Sequence, residues 1–220
     1  MKTVVFFILA SLQIIYNTSG FANQTDYAKL DHILPLNVEP VWFLNQEQIT
    51  SCFHQRKPKI VVEVGSWLGV STAFMAKMLP EDGMIFAVDP WETPTEIMSQ
   101  GYPPLNWPIW PVLYEQFLSN MFHYNVETKV TPIRATSVKG AEAMKKKNIK
   151  IDLIYIDANH DTEPVLEDLR VWYPLVKGHG LLCGGDWGWP TVRDAVYQFA
   201  AEKIFKFTET EIFGLSTNPI

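Results

Sequence analysis

Two groups of residues in this 220-residue chain have types and spacings that can do chemistry. The first is Glu63-Val64-Gly65-Ser66-Trp67-Leu68-Gly69, followed by Asp89. A turn that cradles a pyrophosphate needs the spacing G-x-G-x-x-G, so that backbone amides crowd the phosphates at a helix N-terminus. Here the pattern is E-x-G-x-x-x-G, with Trp67 and Leu68 in its middle and an acid leading in, which suits a ligand with no phosphate. Glu63 can accept a hydrogen bond from, or pair with, an ammonium, while Gly65 and Gly69 let the chain turn tightly beside it. Asp89 ends the next apolar run, where an acid reads a ribose diol in nucleoside-binding α/β folds. Ribose plus the ammonium of an amino-acid moiety points to S-adenosylmethionine.

The second group is Asp157, His160 and Asp186. Asp157 follows the apolar run 151–156 and Asp186 follows the run 181–183, so both carboxylates belong at the carboxyl edge of one sheet, where α/β folds bind ligands. Two carboxylates there, with no Lys or Arg beside them in sequence, favour a hard cation, and Mg²⁺ is the expected metal with Asp157 and Asp186 as its ligands. His160 is the candidate general base, because an imidazole titrates near working pH. Asp157 and His160 are therefore the expected catalytic pair.

The elements that must position these groups alternate from residue 59 onward. Runs 59–64, 84–88, 129–133, 151–156 and 181–183 are short, apolar and β-branched, and they read as buried strands. Between them, 71–79, 114–122, 138–147, 163–173 and 191–203 read as helices, and 204–207 and 211–216 as two closing strands. Non-alternating strands separated by helices predict an α/β, doubly wound, mostly parallel Rossmann-like sheet. With the closing pair it has seven strands and an antiparallel C-terminal hairpin. Residues 91–111, rich in Pro and aromatics, predict a substrate lid with aromatic walls. The segment from Tyr27 to Phe53 is expected to pack against the same region, with Trp42 and Phe43 as its anchors.

Composition narrows the classes further. With 18 Lys+Arg against 24 Asp+Glu the net charge is −6, and the one basic run is Lys145-Lys146-Lys147, so nucleic acid is not an expected partner. Two Cys exclude a disulfide scaffold or a Cys-rich zinc module, and Cys52 and Cys183 read as two buried thiols. Residues 1–22 carry only Lys2 as a charge and contain the apolar run Val4 to Ile15. The run is too short to span a bilayer, and small residues follow it at Gly20 and Ala22. This is the anatomy of a signal peptide cleaved after Ala22, with residues 23–220 as the mature domain. The mature chain is then expected to be exported, free of the membrane and acting on a small-molecule substrate. The sequence leaves its oligomeric state open, a homo-oligomer included.

Taken in order, VVEVGSWLGVST, FAVDPWE, IDLIYIDANHD and YPLVKGHGLLCGGDW resemble four motifs of class I S-adenosylmethionine-dependent methyltransferases. The similarity covers residues 52–217. The subgroup it resembles holds the metal-dependent, catechol-type and macrolide-sugar O-methyltransferases and the cephalosporin-hydroxylase-like proteins. The resemblance implies an enzyme that methylates an oxygen of a small molecule or sugar. It implies that Glu63, Gly65, Ser66, Gly69 and Asp89 contact the cofactor and that Ser137, in the segment Ala135-Thr136-Ser137, flanks the adenine. Helix N-capping is the other reading of Ser137. Two departures weaken the metal: Trp187 stands where catechol-type enzymes have a third oxygen ligand, and Gly185 where relatives often have His. Asp168, inside a helix, reads as a solvated acid or a partner of Arg170. An exported protein that keeps the fold and serves as a binding module is the alternative function, and a nicotinamide oxidoreductase is a distant third.

Overall fold

A computed structural model describes residues 26–39, 43–92, 108–203, 207–208 and 213–216. The expected leader, residues 1–22, lies outside the described residues, as do Trp42 and residues 93–107 of the expected lid. Five strands form the parallel part of the sheet: β1 (Ile60–Val64), β2 (Met84–Asp89), β3 (Val130–Arg134), β4 (Ile151–Ile156) and β5 (Val176–Gly184). Their order is β3-β2-β1-β4-β5. Two short segments extend this edge, β6 (Phe207–Thr208) and β7 (Phe213–Ser216), with β7 antiparallel to β5 and β6 antiparallel to β7.

Helices flank the sheet on both faces, which is why the strands are apolar on both. Helices α1 (Gln46–Arg56), α2 (Val70–Met78) and α3 (Leu113–Tyr124) pack on the face that carries Val61, Ile85, Leu153, Tyr155 and Cys183. On the opposite face, α4 (Ser137–Lys146), α5 (Thr162–Trp172) and α6 (Pro190–Lys203) cover Val62, Phe86, Ile154 and Leu182. Each buried Leu, Ile or Phe in these layers contributes about 1.5–3 kcal/mol. The chain winds β1-β2-β3 outward on one side and then crosses back to lay β4 against β1. The strand order therefore reverses between β1 and β4, the kind of switch point at whose carboxyl ends α/β folds bind ligands.

Helix α5 runs one residue ahead of the expected span and corrects the reading of Asp168. Its carboxyl is not solvated: only 5% of the residue is exposed. Burial raises its pKa to about 6, against a hydrogen bond with Ser137. Arg170 pairs instead with Glu202 of α6. The contact between α4 and α5 decides this, because Asp168 lies on the stripe with Val165, Leu169 and Trp172 that faces the sheet.

Candidate active site

Glu63 sits one residue from the end of β1 and is fully buried. Its Oε2 accepts from the Thr72 hydroxyl on α2. Its Oε1 has no hydrogen-bond partner, nor does the buried Ser66 hydroxyl in the turn that follows. Burial pushes the Glu63 carboxyl up to about 7, against hydrogen bonds from hydroxyls of α2, Thr72 among them. Two buried polar atoms without partners beside one turn mark a place where a ligand completes the bonding.

Gly65 makes that turn possible. Its φ is +87°, and a Cβ built on it would stand 2.1 Å from the Asp157 carbonyl oxygen. The chain after β1 thus lies directly on the chain after β4, and Asp157 N–H donates to Val64 O at 2.8 Å. Gly69, at φ +82°, ends the turn and precedes α2. Asp89, at the end of β2, holds the turn from the other side: its Oδ2 accepts from Trp67 N–H at 2.9 Å and its Oδ1 from Trp91 N–H at 2.6 Å. Trp91 Nε1 then donates to Trp67 O at 2.8 Å. Burial raises the Asp89 carboxyl despite these amides. Both oxygens keep a second lone pair, so Asp89 can brace the turn and still face a diol.

The three residues of the second group meet, as expected, at the ends of β4 and β5. His160 Nε2 lies 2.9 Å from Asp186 Oδ2, and the imidazole stacks on Trp189 with ring centroids 4.8 Å apart. Because a carboxylate oxygen only accepts, Nε2 is the nitrogen that donates to Asp186. Asp157 and Asp186 hydrogen-bond to each other. Burial and the neighbouring Asp186 charge push the Asp157 carboxyl well above the carboxylate range. Burial also pushes Asp186 up, but hydrogen bonds from His160 and Asp157 outweigh it and hold that carboxyl below the range. The pair therefore holds one proton on Asp157 and one negative charge on Asp186.

Sequence reasoning missed two members of this row. Tyr155 donates to Asp157 Oδ2 at 3.0 Å, and Asn45, just before α1, donates to Tyr155 Oη at 3.2 Å. Tyr155 was legible in principle, since it precedes Asp157 by two residues and shares its face of the strand. Nothing near Asn45 in sequence marks it. The row also explains Gly185: a Cβ there would fall 2.8 Å from Asp157 Oδ1 and 2.9 Å from Tyr155 Oη.

The expected metal site does not fit this donor set. Among the described residues no group of three or more His, Cys, Asp or Glu side chains is placed to hold a metal ion. Asp157 and Asp186 are the two carboxylates there, and Trp187 brings no oxygen ligand in its side chain. Ser137 does not cap α4 either: Thr136 is the N-cap residue. The Ser137 hydroxyl accepts from Trp172 Nε1 at 2.8 Å and bonds Asp168, tying α4 to α5.

A family model described as a methyltransferase domain matches residues 62–187, which run from β1 through Trp187 and make up more than half of the chain. The chain belongs to this methyltransferase family. The resemblance seen in the four sequence motifs is thereby borne out, and so is the expected class of enzyme. No curated protein matches the chain. Among solved structures, a methyltransferase from Geobacter sulfurreducens superposes with a TM-score of 0.60 at 12% identity, over 81% of each chain. An O-methyltransferase from Bacillus cereus, in complex with SAH, gives 0.57 at 14% identity over 87% of each. The O-methyltransferase TomG from Streptomyces achromogenes, involved in tomaymycin synthesis and in complex with SAM, gives 0.57 at 12% identity, covering 96% of this chain and 93% of that one. These likenesses are of fold.

Proposed function

We propose that this methyltransferase uses S-adenosylmethionine to methylate an oxygen of a small molecule or sugar, with His160 as general base. The observation that carries the cofactor assignment is the unpartnered Glu63 Oε1 beside the Ser66 hydroxyl, under the glycine turn. That deficit suits the ammonium of the cofactor's amino-acid end. The O-methyltransferase neighbours that hold SAM or SAH support the same choice.

When bound, S-adenosylmethionine supplies a methyl carbon on a sulfonium. Glu63, Ser66 and Asp89 hold the two ends of that ligand, and the Gly65 turn brings it against the edge of β4. Asp186 orients His160 through Nε2, so Nδ1 would take the proton of the acceptor hydroxyl, and the bound cofactor would supply the methyl group to that oxygen. The charge that develops on the imidazole is met by Asp186, which is ionised because Asp157 carries the pair's proton. This route needs no metal. We read residues 1–22 as a cleaved leader and the mature chain as exported, on the strength of the uncharged apolar run behind Lys2.

Calorimetric titration of the chain with S-adenosylmethionine and S-adenosylhomocysteine tests the reading, with Glu63→Gln as control. Binding of both, weakened in the control, is expected. Absence of heat with the wild-type chain would favour the inactive binding module instead. Turnover unchanged in EDTA is expected, and its loss, restored by added Mg²⁺, would return the metal to the mechanism. Mass spectrometry of the N-terminus tests cleavage after Ala22.

A further inference from the structure

Arg193 has no part in the chemistry above, and its place in the chain is unfavourable for a cation: the first turn of α6 is the positive end of that helix's dipole. A carboxylate would offset this, but among the described residues none pairs with Arg193. Its guanidinium turns to the backbone instead. Nη1 donates to Trp187 O at 2.7 Å and to Gly188 O at 2.9 Å. That nitrogen carries two hydrogens, one for each carbonyl.

The two carbonyls belong to the loop 186–189, which lies between β5 and α6 and carries two groups that touch His160: the Asp186 carboxylate on Nε2 and the Trp189 ring stacked on the imidazole. The loop is anchored at its ends. Gly185 N–H donates to Ile156 O at 3.0 Å, and Trp189 N–H donates to Asp186 O at 2.9 Å. In its middle the Trp187 ring rests on Tyr197 of α6, but at Gly188 packing gives no support, since a Cβ built there meets no atom within 4 Å. Asp186 also sits at φ +60°, in the left-handed region that a residue with a Cβ enters at a cost in energy. Such a conformation persists only where the surroundings impose it, and the Arg193 bonds restrain the two carbonyls that follow.

We propose that Arg193 is a positioning residue for the general base. By tying the Trp187 and Gly188 carbonyls to the first turn of α6, it holds the Asp186 carboxylate and the Trp189 ring where both meet His160. A single hydrogen bond from Nε2 lets the imidazole turn about that bond. A ring stacked on its face fixes the plane as well, and the two together aim Nδ1 at one point. Arg193 makes no hydrogen bond to His160 itself, so it acts through the loop. The proposal rests on His160 being the base in the reading above.

The test is NMR of the full chain with isotope-labelled histidine, which requires neither acceptor nor cofactor. In the wild type, His160 should show an Nε2–H signal protected from exchange by Asp186 and ring C–H signals shifted upfield by the Trp189 ring; His160→Gln and Trp189→Leu assign them. Arg193→Met keeps the aliphatic stem and removes the donors. The Nε2–H signal should then be lost to exchange and the ring C–H signals should move to their Trp189→Leu positions, while those of His54 and His123 stay in place. The melting temperature should fall by no more than about 5 °C. Affinity for S-adenosylmethionine should stay within about twofold of wild type. Arg193→Lys, which keeps a donor there, should recover the Nε2–H signal, and Arg193→Gln replaces Arg193→Met should that variant not fold. Unchanged His160 signals in Arg193→Met, or losses of the same size at His54 and His123, would overturn the proposal. Calorimetry with S-adenosylmethionine decides the methyltransferase reading separately, because the His160 signals are read without cofactor.

Discussion

The turn after β1 and the loops after β4 and β5 share one edge of the sheet, yet they hold their carboxylates by opposite means. Around β1 and β2 the acids are fixed by burial, by the Thr72 hydroxyl and by backbone N–H groups of Trp67 and Trp91. Around β4 and β5 the acids are fixed by one another and by His160. The first region is buried and leaves Glu63 Oε1 without a hydrogen-bond partner, which suits it to binding. The second is a chain of titratable groups with His160 and Asp186 each about one-third exposed, which is how protons are moved. The two regions touch where Gly65 lies on Asp157.

Breaking that contact should have the largest effect. Gly65→Ala forces a Cβ against the Asp157 carbonyl at a positive φ, and should cost on the order of 3 kcal/mol of stability while abolishing S-adenosylmethionine binding. Denaturant melts and calorimetry measure both. His160→Ala separates the regions: turnover, followed as S-adenosylhomocysteine released, should fall about 10²–10⁴-fold with cofactor affinity within about twofold of wild type. An equal loss of affinity would merge the two sites into one.

Glu63 sharpens the comparison through pH. Its carboxyl is raised from 4.5 to about 7 in the folded chain, so between those values the folded state binds more protons than the unfolded one. Stability from this group is therefore lost as pH rises from about 4.5 through about 7, on the order of 3 kcal/mol, and is level above. Glu63→Gln should flatten that part of the stability profile. An ammonium partner favours the ionised form, so wild-type affinity for S-adenosylmethionine should increase toward pH 7 and the variant's should not. The smallest effect is expected at Ser137→Ala. Loss of the acceptor for Trp172 Nε1 should cost about 1–2 kcal/mol of stability and leave cofactor affinity within about twofold. A larger fall in affinity would support the adenine contact that the sequence resemblance implies.

The strand–helix order was legible because periodicity and turn residues are local. Run 151–156 is β4 in full, and α4, α5 and α6 each begin one residue ahead of their expected starts. The chemistry-bearing residues were legible for a related reason: in a parallel sheet the carboxyl ends of all strands share one edge, so Glu63, Asp89, Asp157 and Asp186 had to meet there. What each does at that edge was not legible. A carboxylate reads the same in sequence whether it faces a metal, a proton or an amide, and its neighbours come from distant elements. Asn45 and Asp157 meet through Tyr155, Asp168 is buried by α4, and Ser137 is claimed by Trp172.

By itself, then, the sequence determined the class of fold, the class of enzyme and the sheet edge at which its carboxylates gather, because those follow from spacing along the chain. Only the tertiary structure decided which carboxyl is pushed up and which is held down, and why Gly185 must be glycine. Those outcomes depend on desolvation and on contacts a few ångströms long between residues far apart in the chain, and neither is written in local pattern.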